Sequence, residues 1–199
     1  MRWALAALLL VGCAEMRRPP PAAPPAELSG GATIDPLGST IRLAAVDFDR
    51  QGIGLAGRPA ATALAAARLE WLAAEGQLAA MPGSYRFGLQ RGVDEMRASL
   101  AIRPEATPAQ TVPALVAAAR RLEAGAVPDL GAPVFRDVQP TPLQRLSEPG
   151  PQPSAAIATE ALREEYARQV AERRTDPRAR MDSPGMGLTT FGLGGDTDR

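Results

Sequence analysis

The sequence predicts an all-α fold: a small antiparallel helical bundle with a Pro-rich N-terminal tether, a separate C-terminal helix and a disordered tail. Three observations predict it. Apolar residues recur every three or four positions in several stretches between residues 35 and 125. Pro stands at the first turn of three of these stretches, where its missing N–H costs nothing. The connections between them are short, as antiparallel neighbours require.

Residues 35–125 read as the folded domain. Asp35-Pro36 is a helix start, and Leu37, Ile41, Ala44 and Phe48 share one helical face. A strand over Ile41–Phe48 is the alternative, since Ile41, Leu43 and Ala45 alternate with other residues. Gly52–Gly57 is a loop, and Pro59 opens an Ala-rich helix to about Ala80. Ala60, Leu64, Ala67, Trp71, Ala74 and Leu78 line one face of it, and Ala61, Ala65, Leu69 and Leu72 another. Arg68 with Glu75, and Glu70 with Gln77, form polar stripes between these faces. A helix apolar on two sides belongs at the centre of a bundle.

After a turn at Met81–Ser84, the residues Tyr85, Leu89, Val93, Met96 and Leu100 give a third face, closed by Arg103-Pro104. Thr107-Pro108-Ala109-Gln110 reads as a capping box for a fourth helix that stops at Gly125, with Pro113 kinking it or delaying its start. Seven prolines make 126–153 an extended or disordered linker. An amphipathic helix over 154–175 follows, with Ile157, Ala161, Leu162, Tyr166 and Val170 on its apolar side. It docks on the bundle, pairs with a partner or stands alone. Residues 176–199 read as a disordered tail.

Composition removes much chemistry. All 22 basic residues are Arg, with no Lys, His or Asn, a skew that matches a GC-rich genome. The 22 acids balance the charge to zero and the arginines are scattered, so no nucleic-acid partner is expected. Without His there is no Ser-His-Asp or Cys-His site, and the commonest zinc ligand is missing. One Cys excludes an intrachain disulfide and a Cys-x-x-Cys redox pair. No cofactor is expected.

Residues 1–12 have the layout of an export signal: Arg2, then an apolar run from Trp3 to Val11, too short to span a bilayer as a helix. Leu10-Val11-Gly12-Cys13 resembles the lipobox of bacterial lipoproteins. The resemblance implies cleavage after Gly12 and acylation of Cys13, which would hold the mature chain on a lipid bilayer. Ala14, in place of the Asp that commonly retains such proteins at the inner membrane, favours the outer membrane by the same resemblance. Residues 13–34 then read as anchor and tether, with Pro19, Pro20, Pro21, Pro24 and Pro25 extended and Gly30-Gly31 restoring flexibility.

Two motifs suggest ligands and are weighed against a loop reading. Gly52-Ile53-Gly54-Leu55-Ala56-Gly57 matches the G-x-G-x-x-G letters of a dinucleotide turn. However, polar Asp49-Arg50-Gln51 and Pro59 fall where strand and helix should run on. Asp47-Phe48-Asp49-Arg50-Gln51-Gly52 resembles half of an EF-hand loop, but Arg58 occupies the place of its bidentate Glu. Asp47 and Asp49 are expected to cap a chain end or pair with Arg50 or Arg58. Glu160, Glu164 and Glu165 read as a solvated helix face. The expectation is a non-enzymatic envelope protein whose helical domain contacts another envelope protein through Leu64, Trp71, Leu78 or Tyr166. The alternative is an accessory carrier holding an apolar ligand between helices.

Overall fold

The structure is a computed structural model that describes residues 22–74, 78 and 81–175. The expected signal at 1–12, Cys13, the first part of the tether, Glu75, Gln77 and the tail at 176–199 lie outside the described residues. The described residues form seven α-helices, α1 Pro36–Asp47, α2 Asp49–Gly52, α3 Pro59–Ala73, α4 Gly83–Leu100, α5 Pro108–Glu123, α6 Pro142–Ser147 and α7 Pro153–Thr175, packed as a bundle up to Glu164. A short 3-10 turn, Ile53–Leu55, joins α2 to α3. No strand occurs among them, only an isolated antiparallel bridge between Ile102 and Phe135.

The helix starts follow the capping signals. The Asp35 carboxylate accepts from the Gly38 N–H at 2.8 Å ahead of α1, which resolves the helix-or-strand alternative in favour of helix. The Thr107 N–H donates to the Gln110 side chain at 3.0 Å ahead of α5, and Gly125 follows the end of that helix with φ +69°. Pro113 stands inside α5, where it removes one backbone donor without ending the helix.

α3 is the central element. Thr62, Ala63 and every residue from Ala65 to Leu72 are buried, so almost no side of the helix meets water. Its small residues let α1, α4 and α5 approach closely, and Leu69, Leu72, Leu89, Leu100 and Leu115 fill the space between them. The helix ends at Ala73, short of the expected Ala80, with Ala74 extended at ψ 147°. Gly76, about 1 kcal/mol poorer than Ala in a helix, follows closely in the sequence.

Two segments differ from the sequence reading. The end of the tether is a fixed turn: Gly31 N–H donates to the Ala26 carbonyl at 2.8 Å, Gly30 and Gly31 take φ of +62° and +78°, and Leu28 is fully buried. The glycines there supply left-handed backbone for a turn, not flexibility. Residues 126–153 are also folded. The Arg103 N–H donates to Val134 and the Arg136 N–H to Ala101, both at 2.9 Å, and Phe135 and Leu146 are buried. Each Pro restricts the unfolded chain, so ordering this path costs less.

The chain divides into two compact units, up to Glu164 and from Glu165 on. Within the first, the start of α7 docks on α4. Glu95 of α4 accepts from the backbone N–H groups of Ser154 and Ala155, at 2.9 and 3.3 Å, and so caps α7 from a neighbouring helix. Gly92 sits beneath the same point: a Cβ there would come within 2.9 Å of the Ala155 Cα. In the second unit, Arg168 bridges Glu165 and Glu172 at 2.6 and 2.5 Å.

Replacing Gly88 and Gly92, two of the α4 glycines, separates helix propensity from clearance. Gly88→Ala places a Cβ at an ordinary 3.5 Å from Ala158 and should stabilise the chain by ~0.5–1 kcal/mol. Gly92→Ala should instead destabilise it by ~1–3 kcal/mol, because backbone must move. Urea titration of both variants checks the opposite signs.

Candidate functional site

A cleft of about 460 Å³ opens beside the expected contact residue Leu64, between α1, the start of α3 and the end of α5. Leu43, Leu64 and Leu122 supply apolar wall, and Asp47, Arg58, Arg68 and Glu123 line the rest. Leu64 is half-buried there. The other expected contacts lie elsewhere. Trp71 and Leu78 are buried at 8 % and 3 % exposure, and Tyr166 is half-buried on the C-terminal part of α7.

The polar floor of the cleft is one ion pair. Arg68 Nη1 stands 2.5 Å from Asp47 Oδ2, with both side chains largely buried. The rest of the guanidinium reaches the root of the tether: Nε donates to the Leu28 carbonyl at 2.9 Å and Nη2 to that of Glu27 at 3.4 Å. Arg120 of α5 pairs with the Glu27 carboxylate. The Ser39 hydroxyl donates to the Ser29 carbonyl at 2.9 Å. Helices α1, α3 and α5 thus grip the chain at Glu27–Ser29. Burial pushes the Asp47 carboxyl up from its ordinary value, outweighing the opposing pull of Arg68 and, further off, of Arg58.

A second ion pair lies two residues along α3. Glu70 accepts from Arg97 of α4 through both oxygens, at 2.5 and 2.8 Å, and its side chain is 4 % exposed. The same guanidinium donates to the Pro104 carbonyl at 3.1 Å, fixing the loop after α4. These hydrogen bonds, donated to Glu70, hold Arg97 more firmly in its charged form.

The sequence reading placed Arg68 and Glu70 on polar stripes, and both are buried instead. The signal was present in the apolar faces on either side of them, because a helix enclosed on every side leaves no solvated stripe. Asp49 pairs with Arg50 at 3.4 Å as expected, whereas Asp47 pairs with Arg68 and not with Arg50 or Arg58. Glu160 pairs with Arg163 on an exposed face, but Glu165 is buried, so the three glutamates do not share one solvated surface.

The ligand motifs meet other uses. Gly52 to Gly57 forms the turn between helices, with no strand leading into it, so the backbone of a dinucleotide site is not assembled. Asp47, the first acid of the EF-hand resemblance, is engaged by Arg68. No group of three or more acidic, His or Cys side chains able to hold a metal occurs among the described residues. Ala63, Ala65, Ala66 and Ala67 are buried on the flanks of α3. No described helix is long and apolar enough to cross a membrane.

A scan against protein-family models and searches of curated proteins and of solved structures gave no match.

Asp47 gives a pH signature. Its folded value is raised, so the native state binds its proton more tightly than the unfolded chain does. Stability from this group is present below about 3.8 and is lost as pH rises through the higher folded value. Asp47→Asn removes that dependence. The stability gap in favour of the wild type should therefore widen as pH falls through the window just above 3.8. Denaturant titrations across that range test it, and a gap that narrows on acidification contradicts it. Separately, Glu70→Gln leaves Arg97 without its counter-charge and should cost ~3–5 kcal/mol at neutral pH by the same measurement.

Proposed function

We propose that this chain is a lipid-anchored lipoprotein of the bacterial envelope, held through an acylated Cys13 on a bilayer, and that its helical body acts without catalysis by contacting another envelope protein. The observation that carries the reading is the pairing of a lipobox, Leu10-Val11-Gly12-Cys13, with a chain gripped by three helices at Glu27–Ser29. An anchored body needs its tether fastened to the core, or tension on the lipid would unravel the first helix. Glu27 lies fourteen positions after Cys13, a reach of at most ~50 Å. Two or three acyl chains, at ~0.8 kcal/mol per buried methylene, hold a chain of this size on a bilayer firmly.

Composition supports a non-enzymatic role. The chain has no His, and its single Cys is the lipidated one in this reading. Trp71 and Leu78 are buried, while Leu64 and Tyr166 keep exposed surface that a partner could touch, Leu64 beside a cleft where apolar wall and ionic floor adjoin. Ala14 after the Cys favours the outer membrane, facing the periplasm.

Intact mass of the chain recovered from a bacterial envelope tests the anchor. The expected species begins at Cys13 and carries diacylglycerol, and Cys13→Ser should move the protein from the membrane fraction to the soluble one. A mature chain with an unmodified Cys13 thiol would overturn the reading.

A further inference from the structure

The geometry points to a lysine pocket: the cleft beside Leu64 takes the side chain of a Lys from a partner protein, its stem along three leucines and its ammonium on Asp47. The inference rests on the reading that Leu64 contacts another envelope protein, and adds the chemistry of that contact. This chain has no Lys, so the occupant is neither one of its own segments nor a second copy.

Asp47 is the recognising group. It lines the cleft, and its side chain keeps 17 % of its surface exposed. Arg68 Nη1 donates to Oδ2, and no described residue donates to Oδ1. Oδ1 is open to solvent: among the described residues, the sealed side-chain acceptor without a partner is Gln152 Oε1 and not this one. Burial holds the carboxyl above its ordinary value even with Arg68 beside it. One cation thus leaves the carboxylate incompletely compensated, and a second charge-assisted hydrogen bond is favoured.

What is left unpaired decides the sign of the occupant. Every nitrogen of Arg68 already donates, Nε to Leu28, Nη1 to Asp47 and Nη2 to Glu27. Arg58, the other cation on the cleft, is exposed, and water weakens its hold on an anion. Exposed Glu123 lines the same cleft and offsets it. A half-buried acceptor with a free oxygen, against an exposed donor with an acid nearby, selects a cation.

Shape decides which cation. Leu43, Leu64 and Leu122 come from α1, α3 and α5, each is half-buried, and all three line this one cavity of about 460 Å³. Apolar walls converging on a single polar group suit an alkyl stem with a charged tip. A bare metal ion would leave those walls in water. A guanidinium is a planar fork made for two oxygens, and Asp47 has one to offer. An ammonium is a compact charge that one oxygen holds, and Lys carries it on a methylene stem.

The test is titration of the full chain, followed by amide NMR, with acetyl-lysine-N-methylamide and with its norleucine and arginine counterparts. The lysine probe should shift resonances of Leu43, Asp47, Leu64 and Leu122. The norleucine probe, which keeps the stem and lacks the amine, should bind about tenfold more weakly. Asp47→Asn should bring those two probes to equal affinity. Ala61→Leu, which fills the cleft from a half-buried position and leaves the ion pair intact, should abolish the shifts, and it carries the test if Asp47→Asn does not fold. Absence of shifts with the lysine probe overturns the proposal. So does equal binding of lysine and norleucine in the wild type, arginine binding as tightly as lysine, or binding that survives Ala61→Leu. The contact reading fails separately, if a photo-reactive residue in place of Leu64 captures no protein in the intact envelope.

Discussion

A charged pair of opposite sign buried in one apolar helix governs this molecule. α3 is enclosed on nearly every side, yet Arg68 and Glu70 sit within it at 7 % and 3 % exposure. An ion taken out of water costs several kcal/mol unless it finds an opposite charge and further hydrogen bonds. Each of these two can be satisfied only by a particular neighbour, so each specifies where that neighbour lies. Apolar packing alone would let Ala-rich surfaces slide, because small residues interlock weakly. The ion pairs remove that freedom.

The pairs divide the work. Glu70 takes Arg97 bidentately and through it fixes the Pro104 carbonyl, which sets the loop from α4 into α5. Arg68 takes Asp47 of α1 and the carbonyls of Glu27 and Leu28, so one side chain joins α3, α1 and the incoming N-terminal segment. The raised Asp47 carboxyl shows that its burial outweighs the attraction of Arg68. The same ion pair floors the Leu64 cleft, so whatever occupies that cleft lies against the residue that holds the tether root.

The helices were legible where local chemistry decides. Asp35-Pro36, Thr107-Pro108 and the face running from Leu89 to Leu100 all appear in the structure. What sequence periodicity could not reach is non-local. Arg68 and Glu70 look like surface charges until the helices on either side are placed, and their partners lie 21 and 27 residues away. The Pro-rich stretch 126–153 carries a composition typical of disorder, but Val134, Phe135 and Leu146 find buried sites that only the assembled bundle provides. Gln152, whose backbone N–H donates to the Gln51 carbonyl, carries no local signal at all. The cleft was half legible: Leu64 was singled out for its helical face, while Asp47, Arg58 and Arg68 came from three places in the chain.

Hydrogen exchange in Arg68→Met tests the central claim most directly, because the substitution keeps a long apolar stem and removes only the guanidinium. The account predicts that amides of Leu28 to Gly31, held in the turn after Pro25, lose protection far more than those of α4 and α5, which retain the Glu70–Arg97 pair. A variant whose residues 28–31 stay as protected as in the wild type, or one that loses protection uniformly, would contradict it.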